Sequence, residues 1–127
     1  MIGLPIVVRP ALPEEDDAVG ELVVRAFVAA YSSKLGLATS DERRRELADV
    51  PRRRREGTVL VALEGDAIVG TITVHPPEWS RLRDVLPEAA ELRALAVDPV
   101  CRGRGLSAPI LDAAETLAWN WGVRPIA

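Results

Sequence analysis

The residues best suited to chemistry lie in one stretch, Leu95-Ala96-Val97-Asp98-Pro99-Val100-Cys101-Arg102-Gly103-Arg104-Gly105-Leu106-Ser107. Its apolar beginning reads as a strand, its glycines as a turn, and the residues from Leu106 onward as the start of a helix. Glycines at 103 and 105 let the backbone come close to a bulky anion. A helix N-terminus then offers amide N–H groups and roughly half a positive charge, to which Arg102 and Arg104 add full ones. The pattern suits a phosphate or pyrophosphate. It is not a P-loop, because no Gly-Lys-Ser/Thr ending closes it. Nor is it the dinucleotide fingerprint, because position 108 is alanine and the upstream order differs.

Other reactive types are scarce. A single cysteine, Cys101, excludes an internal disulfide, and a single histidine, His75, excludes a Cys/His metal cluster, so no metal is expected. His75, before Pro76-Pro77, reads as a structural strand-end residue with a base as the alternative. Between Asp41 and Arg55 there are seven arginines against four acids. That run reads as a solvated helix face, with a phosphate-facing or partner-facing patch as the alternative.

The elements that must position these residues follow from periodicity. Ile6–Arg9 is a β-branched run ended by Pro10. Pro13 and the acids at 14–17 open a helix whose apolar stripe is Val19, Leu22, Val23, Ala26, Phe27 and Ala30, broken by the run from Tyr31 to Gly36. Ser40 caps a second, polar helix expected on the surface. Thr58–Leu63 and Ala67–Val74 form a hairpin around Glu64-Gly65-Asp66, and Glu91–Val97 is a further strand. Leu106–Trp121 is a helix, with Ser107 as its preferred cap and Trp119 and Trp121 expected in the core or an interface. Val123–Ala127 begins one more strand. The order is β-α-α-β-β-β-α-(β), an α/β (α+β) arrangement in one domain, 1–127.

Composition agrees with a globular chain: 127 residues, 48% hydrophobic, 28% charged, formal charge −3. That charge excludes a polyanion binder acting through net charge, so no nucleic acid is expected. No apolar run reaches the roughly 18 residues of a membrane span, and Met1-Ile2-Gly3-Leu4-Pro5 carries no basic signal region. A cytoplasmic setting is expected.

The segment Arg102-x-x-Gly105-x-Ser107 resembles the coenzyme A signature of the GNAT N-acetyltransferase superfamily, Gln/Arg-x-x-Gly-x-Gly/Ala, with serine in the last place. Leu-Ala-Val-Asp-Pro before it, Val-Arg-Pro-Ala near the start and the Glu-Gly-Asp-Ala-Ile-Val-Gly hairpin are similar to that family too. The resemblance runs from about residue 6 to the last residue. It implies a mixed central sheet flanked by helices, with acetyl-CoA between the fourth and fifth strands. Leu95, Ala96 and Val97 would pair with the pantetheine arm. Arg102, Gly103, Arg104, Gly105, Leu106, Ser107 and Ala108 would hold the pyrophosphate. A small-molecule or peptide amine then attacks the thioester directly, with Glu91 as the general base acting through water and Glu88 as a weaker substitute. Direct transfer asks no covalent role of Cys101, and Trp79 is assigned to the acceptor side.

By the same resemblance the sequence stops about one strand, one helix and a closing hairpin short of the family's pattern, and the usual tyrosine acid has no counterpart. The alternative reading is a degenerate or truncated module that binds CoA or a partner without catalysis. A homodimer that exchanges strands is a further arrangement left open.

Overall fold

The computed structural model describes residues 4–35 and 40–126, the side chains of 32–35 excepted. Met1–Gly3, Gly36 of the segment expected to break the first helix, and Ala127 of the last strand lie outside that range. The elements are β1 (Ile6–Pro10), α1 (Asp16–Leu35), α2 (Asp41–Ala48), α3 (Val50–Glu56), β2 (Thr58–Glu64), β3 (Ala67–His75), β4 (Ala89–Val97), α4 (Ser107–Asn120) and β5 (Arg124–Ile126). The sheet runs β1-β2-β3-β4-β5. All neighbours are antiparallel except β4 and β5, which are parallel.

Alternation along the strands decides which face meets which helix. Leu60, Ile72, Val74 and Leu92 pack with Ile110, Ala114 and Ala118 of α4. The intervening Val59, Val61 and Leu63 pack with Val19 of α1 and Val50 of α3. Leu22, Val23 and Ala26 of α1 meet Ala96 of β4. The sheet is thus covered on both faces. At the hairpin, Gly65 takes the left-handed φ of +60° that the short turn requires.

Three local outcomes differ from the expectations. The first helix continues through Tyr31 to Leu35, because two serines and a lysine are compatible with a helix whose face is already buried. The expected second helix is two, since Asp49 leaves helical geometry and its side chain caps α3 by accepting from the Arg52 amide at 3.1 Å. Trp119 is 59% exposed and Trp121 37%, so of the two places expected for them, core or interface, the core is excluded; Gly122 ends α4 beside them with φ +80°. No described helix is long and apolar enough to cross a membrane.

Candidate functional site

The site is built around β4. On one side β4 pairs with β3; on the other, β5 is in register with Ala89, Ala90 and Glu91 alone. From Leu92 onward β4 therefore has no partner on that side among the described residues. Opposite this parting the β3 ladder slips. Thr71 faces Ala96 and Thr73 faces Arg93, so Ala94 and Leu95 share the place opposite Ile72. This is a β-bulge, and Ala94 takes φ +56°, the one positive value at a non-glycine among the described residues.

Beyond β4, Asp98 organises a tight turn by accepting from the Val100 amide at 3.2 Å. Gly103 and Gly105 follow with φ of +83° and +71°, and a Cβ at either would meet nothing within 4 Å. Glycine is needed there for conformation, and open space lies beside it. Leu106 occupies the cap position of α4 without a side-chain cap, and the first turn carries no acid. Ser107 is thus the first helical residue rather than the expected cap. Pro109 falls within the first turn, whose amides have no acceptor inside the helix, so it breaks no bond. By contrast, Ser40 caps α2, and Asp41 and Glu42 stand in its first turn. The N-terminal amides of α4 are left for another acceptor.

A cavity of about 1110 Å³ runs along these features. Its lining joins β4 from Arg93 to Val97, the turn with Arg102, Gly103 and Gly105, the start of α4, and Val23, Ala26 and Phe27 of α1. Phe27 and Tyr31 stack with ring centroids 4.2 Å apart, and the Arg43 guanidinium lies over Phe27 at 5.0 Å. The far end is charged, with Arg52, Arg53 and Glu56 from α3, Arg81, and Arg93 from β4.

Over residues 18–127 the sequence matches the model of the Acetyltransferase (GNAT) family. The chain belongs to the GNAT acetyltransferase family. No curated protein matches it by sequence. Solved GNAT structures share its fold. A GNAT family acetyltransferase from Brucella melitensis, in complex with acetyl-CoA, is 18% identical with a TM-score of 0.68, over 94% of this chain and 71% of that one. The PaiA N-acetyltransferase from Thermoplasma acidophilum, in complex with coenzyme A, is 16% identical with a TM-score of 0.68, over 94% and 76%. A GCN5-related N-acetyltransferase from Ralstonia eutropha is 21% identical with a TM-score of 0.63, over 96% and 82%.

In this GNAT chain most of the expected binding residues meet along one wall: Leu95, Ala96, Val97, Arg102, Gly103, Gly105, Leu106 and Ser107 all line the cavity. Arg102 also donates to the Ala26 carbonyl at 3.3 Å. Arg104 and Ala108 are not in the lining, and the Arg104 guanidinium is held by Glu64 at the end of β2. Glu91 is buried behind the wall. Its carboxylate accepts from the Arg81 amide at 2.9 Å and from the Arg81 guanidinium at 3.0 and 2.8 Å. Burial pushes this carboxyl up, but the Arg81 bonds and the charges of Arg81 and Arg93 together hold it below the usual carboxylate range.

His75 is fully buried and donates from Nδ1 to the Glu56 carbonyl at 3.2 Å, which leaves Nε2 without a partner. Burial, reinforced by Arg93, pushes its pKa down, so the ring is neutral and structural. The sequence reading missed Arg53, Arg81, Arg93 and Glu56 as cavity residues. For Arg53 the signal was the arginine run, whose members differ in where they point; Arg81, Arg93 and Glu56 lie outside it.

Proposed function

We propose that this chain transfers an acetyl group from acetyl-CoA to a primary amine. One observation carries the reading: in a GNAT chain, a bulged strand, a glycine turn with open space and an uncapped helix N-terminus line the same cavity. The relatives from Brucella melitensis and Thermoplasma acidophilum hold acetyl-CoA and coenzyme A, which supports it. The residues present fit such a ligand. The segment from Arg102 to Ala108 offers amides, one cavity-facing guanidinium and room for a pyrophosphate. Leu95, Ala96 and Val97 offer cavity-lining strand backbone to an amide-bearing arm. When bound, acetyl-CoA supplies the thioester that the amine attacks.

The chain's own contribution is then to bind, orient and move a proton. The bulge withdraws backbone groups of Ala94 and Leu95 from the β3 ladder, where they can meet a developing oxyanion. An ammonium acceptor must lose a proton before it attacks. Glu91, acting through water, is the base that the family resemblance implies, but its oxygens are taken by Arg81. Glu56, which lines the cavity, is the better placed of the two. A cytoplasmic setting belongs to the same reading.

The test is a melting curve with and without acetyl-CoA. A ligand that binds only the folded chain stabilises it by about 2.7 kcal/mol at a hundredfold excess over Kd. Arg102→Glu should abolish the shift. Arg104→Glu should leave most of it, because that guanidinium is already paired with Glu64. Absence of any shift in the wild-type chain would reject the assignment. A shift without thiol release over a panel of amines would establish the non-catalytic CoA-binding module instead.

A further inference from the structure

We propose that the charged end of the cavity binds an anionic group on the acceptor, a carboxylate or a phosphate, with Arg93 as its central ligand. The inference rests on the proposed function only in taking the second reactant to be an amine.

Arginine is concentrated here beyond what the protein's own contacts use. Arg52, Arg53, Arg81 and Arg93 line one end of the cavity. Each of the first three is committed. Arg52 donates to Glu56 at 3.2 Å, Arg81 is spent on Glu91, and Arg53 donates to the Glu46 and Leu47 carbonyls at 3.3 and 2.8 Å, closing the end of α2. Arg93 differs. Its side chain is 29% exposed, its guanidinium donates no hydrogen bond among the described residues, and its ion pair with Glu91 is long, 4.0 Å from Nε. A guanidinium half withdrawn from water without acceptors has lost hydration that protein contacts have not replaced.

The surrounding charge strengthens the case. Glu56, Glu91 and Asp49 oppose these four guanidinium groups, and Glu46, the other carboxylate of the lining, is paired with Arg43 at 3.0 Å, so positive charge is in excess. Burial, then repulsion from Arg81, pushes the Arg93 pKa down, and Arg93 in turn adds to the burial that lowers Arg53. An anion would relieve both costs and accept from a fork matched to carboxylate or phosphate. Trp79, 51% exposed, lines the same end and offers an apolar face beside the charge. The coenzyme-type cradle lies along the glycine turn instead, so this anion site serves the other reactant.

The experiment titrates matched amines into the full chain by calorimetry, with and without CoA present. The pairs are 4-aminobutanoate against butylamine and O-phosphoethanolamine against ethanolamine, which separate carboxylate from phosphate. At least one member that carries the acid group should bind about tenfold tighter than its partner without it, the scale of a charged hydrogen bond. Arg93→Met should erase that preference while leaving the acetyl-CoA Kd within about twofold, and Arg93→Lys should restore part of it. Should Arg93→Met fail to fold, Arg93→Gln should reduce the preference in its place, and a preference unchanged in that variant overturns the proposal.

Equal binding of amines with and without the acid group, or a preference that survives Arg93→Met, overturns the proposal. So does competition between acetyl-CoA and the acid-bearing amine, which would assign the arginines to the coenzyme. Failure of acetyl-CoA to bind at all would defeat the proposed function, yet the paired amines would still report on Arg93.

Discussion

Glu91 keeps its charge at a place where a carboxylate pays for leaving water, because Arg81 reaches it from the backbone and from the side chain. Its folded-state pKa is depressed, so the contribution to stability is present above the ordinary carboxylate range and lost as pH falls through the folded value. Glu91→Gln should therefore cost about 1–2 kcal/mol in urea unfolding at neutral pH, discounted for the exposed Arg81, and the penalty should shrink in acid. Glu56→Gln, in the cavity lining, should instead lower kcat with little change in the unfolding midpoint. A reversed outcome would return the proton-accepting role to Glu91. The family resemblance marked Glu91, but nothing marked its partner. Arg81 lies ten residues away in a loop without periodicity, and nothing in the spacing announces that they meet. The glycine turn was legible because its demands are local: two positive φ values and a helix start. Arg102 and Arg104 look equivalent in the sequence, and only the distant Glu64 separates them.

At the scale of elements, strands and helices were legible wherever one face is apolar, and boundaries shifted where a single polar residue decides. Asp49 splits α2 from α3, and this turns Arg52 and Arg53 toward the cavity instead of along a continuous exposed helix. The junction from α3 to β2 is equally constrained. Gly57 has ordinary extended backbone, but a Cβ there would sit 2.4 Å from the Val74 carbonyl oxygen. Gly57→Ala should destabilise the chain by about 2–3 kcal/mol in urea, since a backbone oxygen of the central sheet cannot step aside as a side-chain end can. At Gly70 the closest atom is the Ile110 Cδ1 at 2.4 Å, the tip of a side chain, so Gly70→Ala should cost less. If Gly70→Ala proves the worse of the two, the closeness of α3 to β3 is not what fixes the junction.

For the whole molecule, the single histidine gives stability a pH dependence that can be assigned to one side chain. The His75 pKa is lowered in the folded state, so the folded chain resists a proton that the unfolded chain accepts near pH 6.5. Stability should be full above that value and decline as pH falls below it, before the carboxylates begin to titrate. Melting temperatures from pH 7.5 to 5.5 should show the decline, and His75→Gln should flatten it; a slope unchanged in that variant would refute the assignment. Among the described residues β4 has no neighbour on one side from Leu92 to Val97. A strand edge with unused amides and carbonyls is a template on which any extended chain can add itself, another copy of this one included. Whatever lies along Leu92–Val97, ligand or further chain, therefore also acts as a cover against self-association.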